Sequence, residues 1–261
     1  MTPKLGRKPA RFTPRSLVSS HIMARHLRGL GPAPAASPDW LTAVAQKSAA
    51  GWGMFANDQY GDCVFADCAH QEMLRTANVG KIWVPSVDDV LTLYHDCTGF
   101  NPNDPGTDNG ADELSVIDYL TTTGWQGRKL DGHANLDPTQ AEQLKWAVCI
   151  FGASRLGVNL PQSAMDQFEA NQPWDYAGDN APAGGHDVPL VKYQADMFFV
   201  VTWGKLQPVT PGFMAASYPD GTPYVEEAHA ELALDWMNAA GTAPSKLDLK
   251  RLVADLQAVS N

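Results

Sequence analysis

The chain has 261 residues, of which 44% are hydrophobic, and its formal net charge is −10 at pH 7. This length and apolar content predict a packed globular protein with one large domain or two small ones. No apolar run approaches the roughly 18 residues that span a bilayer, and no apolar core of a secretory signal is found near the N-terminus, so we expect a soluble protein made in the cytosol.

Residues 1–30 form a basic segment on an acidic remainder. They contain seven Lys or Arg and no acid, which leaves 12 basic and 29 acidic residues, a balance of −17, in the rest of the chain. Such an arm can lie along its own acidic domain, bind an acidic neighbour in an assembly, contact nucleic acid, or remain a solvated tail. We expect an acidic protein partner, place nucleic acid second, and expect no membrane partner.

Prolines at positions 3, 9 and 14 predict that this arm is extended up to about residue 15. Residues 16–30 favour a short amphipathic helix, and the stretch GPAPAASP at 31–38 is typical of a linker. The first predicted unit is therefore residues 1–40, a basic arm followed by a Pro/Ala linker.

The stretch NDQYGDCVFADCAH at 57–70 places Cys63 at the predicted start of a helix. Gly61 permits a tight turn, Asp62 is a good N-cap, and apolar residues keep helical spacing until Asn78. The amides at a helix N-terminus favour a thiolate, which makes Cys63 a candidate nucleophile. The alternative is a buried thiol that serves only packing.

Three further helices are predicted after this one. The first follows Ser86, where Ser-Val-Asp-Asp imitates a capping box. The second runs over 113–123, and the third opens at Asp137 with Pro138 in its first turn. The second predicted unit is residues 41–130, a helical subdomain that contains the nucleophile helix.

Beyond Gly152 the hydrophobic period changes to that of strands. Strands are predicted at 154–160, 186–193 and 197–203, the last two as a hairpin, and a terminal helix at 247–259. The third predicted unit is residues 131–261, a β-rich subdomain with a histidine strand and a C-terminal helix. The fold class is α+β, with a helical first half packed against a mostly antiparallel sheet.

Cys63, Cys68, Cys97 and Cys149 are too few and too scattered for a disulfide scaffold, so free thiols are expected. A zinc site at Cys63, Cys68 and His70 is disfavoured, because a gap of five between the cysteines is not zinc-finger spacing. We expect no metal and no cofactor.

Several stretches, in order over roughly residues 50–210, resemble the papain-like cysteine peptidases. They are GDCVFADC (the nucleophile helix), YHDCTG with DNGADELSVIDYL, LKWAVCIFGASRLGVNL, GGHDVPLVKY (the histidine strand) and VVTWG. The similarity extends to bacterial and phage-type members of the superfamily. It implies a papain-like fold in which Cys63 and His186, from separate halves of the chain, meet in one groove.

The resemblance also implies roles for individual residues. Cys63 matches the nucleophile, and His186 matches the general base that takes the thiol proton. Asn57 stands six residues before Cys63, where the family has the glutamine of the oxyanion hole, and Gln59 is the reserve candidate. Asn109 and Gly110 match a loop that pairs with the substrate backbone.

The sequence departs from the family at the residue that orients the histidine. Trp203 matches the indole that shelters the histidine, but Val201 stands where the family has the asparagine that orients it, and valine makes no side-chain hydrogen bond. Thr202 or a backbone carbonyl is the expected substitute. Asp187 should point to the opposite face of the strand from His186.

Two functions follow from these residues. The first is a papain-like thiol protease, a hydrolase that cleaves peptide or amide bonds through a thioester at Cys63 with His186 as general base. The second is a non-catalytic papain-like structural protein, such as a phage virion or other assembly component, that docks through its basic N-terminal arm. Intact Cys63 and His186 favour the first, and Val201 favours the second.

Overall fold

The computed structural model describes residues 3–80, 82–178, 181–236, 243–246 and 249–260. In chain order its elements are α1 (Pro14–Arg28), α2 (Leu41–Lys47), α3 (Cys63–Asn78), α4 (Val87–Thr98), α5 (Glu113–Thr122), β1 (Leu130–Leu136), α6 (Ala141–Phe151), β2 (Ser154–Pro161), α7 (Gln162–Glu169), β3 (Pro182–Gln194), β4 (Met197–Thr202), β5 (Lys205–Val209), α8 (Pro211–Met214), β6 (Val225–Ala233) and α9 (Lys250–Ser260). The predicted α+β class, with helices ahead of a mostly antiparallel sheet, is confirmed.

Local capping signals fix the starts of several helices. Thr13 and Ser16 form a capping box with Pro14 in the first turn of α1, so the arm is extended only up to residue 13. Ser86 and Asp89 form a second capping box at the start of α4. These residues satisfy amide groups that have no partner inside the helix.

Helix α6 begins later than its sequence indicates. The carboxylate of Asp137 accepts hydrogen bonds from the backbone and hydroxyl of Thr139 at 2.9 and 2.6 Å, which closes a turn. The helix therefore starts at Ala141 rather than at Pro138. Helix α9 starts at Lys250, and residues 247 and 248 of the predicted terminal helix lie outside the described residues.

The six described strands form one antiparallel sheet in the order β1-β6-β2-β3-β4-β5. Strand β3 contains His186, which is paired with Val158 of β2. Strands β2, β3 and β4 lie where the sequence predicts them, and β3 and β4 form the predicted hairpin. Strands β1 and β6 are not among the predicted elements, although they make one end of the sheet.

Helix α3 is buried along almost its whole length, from Cys63 to Ala77. It packs against β3, which brings the start of the helix next to His186. Helix α1 packs on β1 and on α9, so the extended arm before it begins from a fixed point. None of the described helices is both long and apolar enough to cross a membrane.

Candidate active site

Cys63 is the first residue of α3, as the sequence predicts, and its side chain is only 1% exposed. The preceding residue, Asp62, does not cap the helix with its side chain. Its carboxylate instead accepts a hydrogen bond from the Asn57 amide at 3.0 Å. The N-cap assigned to Asp62 from the sequence is therefore wrong in its contact, although the position of the helix start is right.

His186 and Cys63 line one small buried cavity of about 10 Å³, together with Thr202 and Trp203. The two ring nitrogens of His186 have different surroundings. Nε2 lies 2.8 Å from the hydroxyl oxygen of Thr202, and the indole of Trp203 stacks on the ring at 4.5 Å with an interplanar angle of 17°. Nδ1 is buried and makes no hydrogen bond within the described part of the chain, so it can accept a proton.

Val201 lies in the wall of the same cavity and offers no polar group. Thr202, the next residue of β4, supplies the contact that an orienting residue would make. Asp187 forms an ion pair with Arg155 at 2.5 Å, and its backbone also lies within hydrogen-bonding reach of the Cys63 thiol. The carboxylate of Asp187 is therefore occupied by Arg155 rather than by the histidine.

The two candidates for an oxyanion donor lie in different places. Asn57 is buried in the wall of the cavity, but its amide nitrogen already donates to the Tyr60 carbonyl at 3.2 Å and to Asp62. Gln59 is exposed and does not line the cavity. Gln59 as reserve donor therefore finds no support, because its side chain lies outside the site.

The basic arm covers this site in an extended conformation. Its backbone forms four hydrogen bonds with the walls: Lys4 N–H to Asn57 O at 2.9 Å, Arg7 N–H to Gly185 O at 3.1 Å, Lys8 N–H to Ala111 O at 2.9 Å, and Ala111 N–H to Gly6 O at 3.1 Å. The Trp203 indole N–H also donates to the Lys4 carbonyl at 3.4 Å. A groove that binds a peptide by its backbone therefore runs over Cys63 and His186.

Glycines in the walls allow this close approach. A Cβ on Gly110, which has φ +62°, would lie 1.7 Å from the Gly6 carbonyl oxygen, and a Cβ on Gly185 would lie 2.3 Å from the Arg7 carbonyl oxygen. The arm therefore passes close to Gly110, but its hydrogen bonds here are made with Ala111, and the Gly110 N–H donates to the Tyr94 hydroxyl at 2.8 Å. The exposed side chain of Asn109 turns back to Gly106 O at 2.8 Å. The pairing of Arg7 with Ala111 is parallel.

The side chain of Arg7 enters a buried acidic pocket beside the site. Its guanidinium donates to Glu227 at 2.7 Å, to Glu226 at 2.6 Å and to Asn159 at 3.0 Å. Glu113 lies 3.9 Å from Arg7 Nε. We call the pocket formed by these three glutamates and Asn159 the acidic pocket.

Ligand atoms of Glu113, Glu227 and His229 lie within 4.8 Å of one another, a spacing that suits a metal ion. His229 Nε2 is 3.1 Å from Glu227 and 3.6 Å from Glu113. Because the Arg7 guanidinium contacts the same two carboxylates, the positive charge that they require is already present as an ion pair.

With the arm in place, the thiol and the imidazole are both neutral. Burial raises the pKa of the Cys63 thiol, and the Asp187 carboxylate raises it further, against smaller opposing effects of backbone hydrogen bonds with Asp187 and Gly6. Burial, with a smaller effect of the positive charge of Arg7, lowers the pKa of His186 to about 3. An ion pair between thiolate and imidazolium is therefore disfavoured in this closed arrangement.

Sequence reasoning missed the acidic pocket and the ion pairs beneath the site. Arg155 is fully buried and binds Asp67, Asp187 and Glu231, which ties α3, β3 and β6 together. Isolated charged residues within apolar stretches are the signal that was available. The basic arm itself was found, and lying along its own acidic body was one of its stated alternatives.

No protein-family model and no curated protein matches the sequence. Among solved structures, xylellain, a cysteine protease from Xylella fastidiosa, is similar with a TM-score of 0.56 and 13% identity over 89% of this chain and 97% of that one. The cysteine protease and lectin-like domains of a surface layer associated protein from Clostridium difficile are similar with a TM-score of 0.51 and 11% identity, over 86% of this chain and 60% of that one. The chain therefore has the fold of the papain-like cysteine peptidases.

Proposed function

We propose that this protein is a cysteine hydrolase that cleaves peptide or amide bonds through a thioester at Cys63. His186 Nδ1 takes the thiol proton, the sulfur attacks the carbonyl carbon, and the imidazolium returns the proton to the leaving amine. Water then hydrolyses the thioester with His186 again as base. Thr202 holds the ring through Nε2, and Trp203 covers its face.

The observation that supports this proposal most directly is the extended peptide in the groove. Residues Lys4–Lys8 bind by main-chain hydrogen bonds, which any peptide of suitable side chains can reproduce. Gly6 passes next to the Cys63 thiol, close enough for its backbone to lower the pKa of the thiol against the larger effect of burial. The groove thus binds a polypeptide with one of its peptide units beside the proposed nucleophile.

The oxyanion of the tetrahedral intermediate requires a donor near Cys63. The first amides of a helix have no acceptor within the helix, so the Cys63 backbone N–H is available at the start of α3. We assign this N–H as the main donor. The Asn57 amide becomes a second donor only if it releases Tyr60 O or Asp62.

The test is hydrolysis of a mixed fluorogenic peptide library by a variant whose arm is displaced, Gly6→Ala. Activity should vanish in Cys63→Ala and in His186→Ala made in that background, whereas Cys68→Ala should retain it. Hydrolysis that survives both substitutions, or that is absent from the displaced-arm variant while Cys63 is rapidly alkylated, would refute the proposal.

A non-catalytic domain that docks through its arm is the other outcome of the same experiment. It predicts no hydrolysis and alkylation of Cys63 no faster than that of Cys68 after the arm is displaced. The contacts of the described residues give this function no specific support, because the arm binds its own body through Arg7, Arg11 and Arg25. Synthesis in the cytosol, incorporation into a virion and a nucleic acid partner stay predictions from the sequence.

A further inference from the structure

The acidic pocket holds a guanidinium with more contacts than its charge alone requires. Arg7 Nη1 donates to Glu227 Oε1, whereas Nη2 donates to both Glu226 Oε2 and Asn159 Oδ1. The two terminal nitrogens therefore reach separate acceptors on β2 and β6. A lysine ammonium, which is a single point charge, does not match this divergent set of acceptors.

The pocket is prepared for its occupant by its own hydrogen bonds. The Asn159 amide nitrogen donates to Pro223 O at 3.0 Å, which turns Oδ1 toward the guanidinium. Glu227 contacts His229 with its second oxygen, Oε2, at 3.1 Å, which leaves Oε1 for Arg7. Both acceptors are thus oriented by groups outside the arm.

The charge of the pocket demands a cation. The side chain of Glu227 is almost fully buried, and a buried carboxylate without a partner is strongly unfavourable, whereas burial raises the pKa of Glu113 well above its usual value and favours its neutral form. Both oxygens of Glu113 are buried and make no hydrogen bond to any residue that the structure describes. When the arm leaves the groove, Glu227 and Glu226 lose the guanidinium, so a ligand that brings its own positive charge is favoured over an apolar one.

The pocket opens one residue along the groove from the peptide unit at the nucleophile. Gly6 passes Cys63, and the next side chain, Arg7, turns into the pocket while its backbone N–H bonds Gly185 O. A bound substrate therefore has a side chain next to this pocket whenever its backbone follows the groove.

We propose that the acidic pocket is a specificity subsite that takes the guanidinium of a substrate arginine close to the scissile bond, with Arg7 as its resident occupant. That the guanidinium belongs to a substrate rests on the proposed hydrolase function, whereas the binding of a guanidinium in this pocket does not. It predicts preference for arginine over lysine, and for arginine over its neutral isostere citrulline.

The binding test uses the full chain with Arg7→Ala, which removes the atoms that N-ethylguanidinium can replace. Ten millimolar N-ethylguanidinium should raise the Tm of Arg7→Ala by about 2–4 °C, the shift expected for binding of modest strength in a chain of this size. The neutral N-ethylurea and the point charge propylammonium should give much smaller shifts. The wild type, whose pocket is filled, and the double variant Arg7→Ala/Glu227→Gln should not respond.

The substrate test compares two peptide libraries that differ only in arginine or citrulline at each position. Hydrolysis by Arg7→Ala should favour arginine about tenfold or more at one position, and Glu227→Gln should remove this preference. The same two libraries are also given to Gly6→Ala, whose arm is displaced but keeps its arginine, and the same preference is expected there, so the comparison does not depend on the folding of Arg7→Ala.

The two proposals fail in different ways. Selective stabilisation by ethylguanidinium without any hydrolysis would support the pocket and refute the hydrolase. Hydrolysis with equal use of arginine and citrulline, or stabilisation of Arg7→Ala by Zn²⁺ with none by ethylguanidinium, would overturn the assignment of the pocket.

Discussion

Gly6→Ala tests how the arm is held over the active site. A Cβ at Gly6 would lie 1.8 Å from the carbonyl oxygen of Gly61 and 2.3 Å from its carbonyl carbon, and real Cβ atoms are essentially never nearer than 3.0 Å to another heavy atom. Both clashing atoms are backbone, at the turn before α3. The arm must therefore move by at least about 1.2 Å at this residue.

This displacement breaks the hydrogen bonds on either side of Gly6. Ala111 N–H to Gly6 O and Arg7 N–H to Gly185 O are both 3.1 Å long, so a shift of that size takes them beyond bonding distance. Each contributes roughly 0.5–1.5 kcal/mol, so the loss totals about 1–3 kcal/mol. Because about 1.4 kcal/mol is a factor of ten, the population with an uncovered site should rise about 5- to 150-fold.

The measurement is the rate of Cys63 alkylation by iodoacetamide at neutral pH, followed by mass spectrometry of the peptide that contains it. If the arm opens and closes faster than the reagent reacts, this rate follows the uncovered population. Gly29→Ala is the matched control, since its Cβ would meet no atom nearer than His26 O at 3.6 Å. An unchanged rate in Gly6→Ala, or an equal rise in both variants, would show that the arm does not control access to the thiol.

Three further outcomes follow from the site and the groups around it. Thr202→Val removes the partner of His186 Nε2 at nearly constant volume, so kcat/KM should fall about 10- to 100-fold and its pH profile should shift. An unchanged pH profile would show that Thr202 does not orient the imidazole. Arg155→Met should lower the free energy of unfolding by about 3–5 kcal/mol at pH 7 in urea titrations, because it leaves the buried carboxyl groups of Asp67 and Asp187 without their cation and Glu231 with Arg75 alone. This deficit should shrink at pH 4, and a loss below about 1 kcal/mol would contradict the expected role of Arg155. Burial lowers the pKa of His70 to about 4, below its unfolded value near 6.5. Between these two values the folded state binds fewer protons than the unfolded state, so stability is lost as the pH falls from about 6.5 to about 4. His70→Gln should flatten this part of the curve of stability against pH, and an unaltered slope would show that the ring is not buried in its neutral form.

The sequence predicts those parts of the fold whose signals are local. The start of α3 at Cys63 is predicted from the Gly-Asp pair before it, although the Asp62 side chain does not make the capping contact, and the strand with His186 is predicted from its β-branched and aromatic residues. The order of motifs along the chain then predicts that the two halves meet. These elements need no knowledge of distant contacts, which is why periodicity and capping find them.

Strand β6 escapes this reasoning because its buried side chains are charged. The stretch VEEAHAELA places Glu227, His229 and Glu231 inside the protein, where they bind Arg7, Glu113 and arginines from other elements. A polar residue is predicted to be exposed when only its neighbours in sequence are considered. Its partners lie far away along the chain, so the pairing becomes visible only in three dimensions.

The fixed attachment of the arm has a consequence for any competitor. Thr13 caps α1, and α1 is packed on β1 and α9, so residues 3–12 are tethered to the groove by a short link. A segment linked in this way experiences an effective concentration on the order of millimolar. A free peptide of equal intrinsic affinity must reach that concentration to occupy the groove half of the time, whereas a single chain break between Arg11 and Thr13 would let the segment diffuse away.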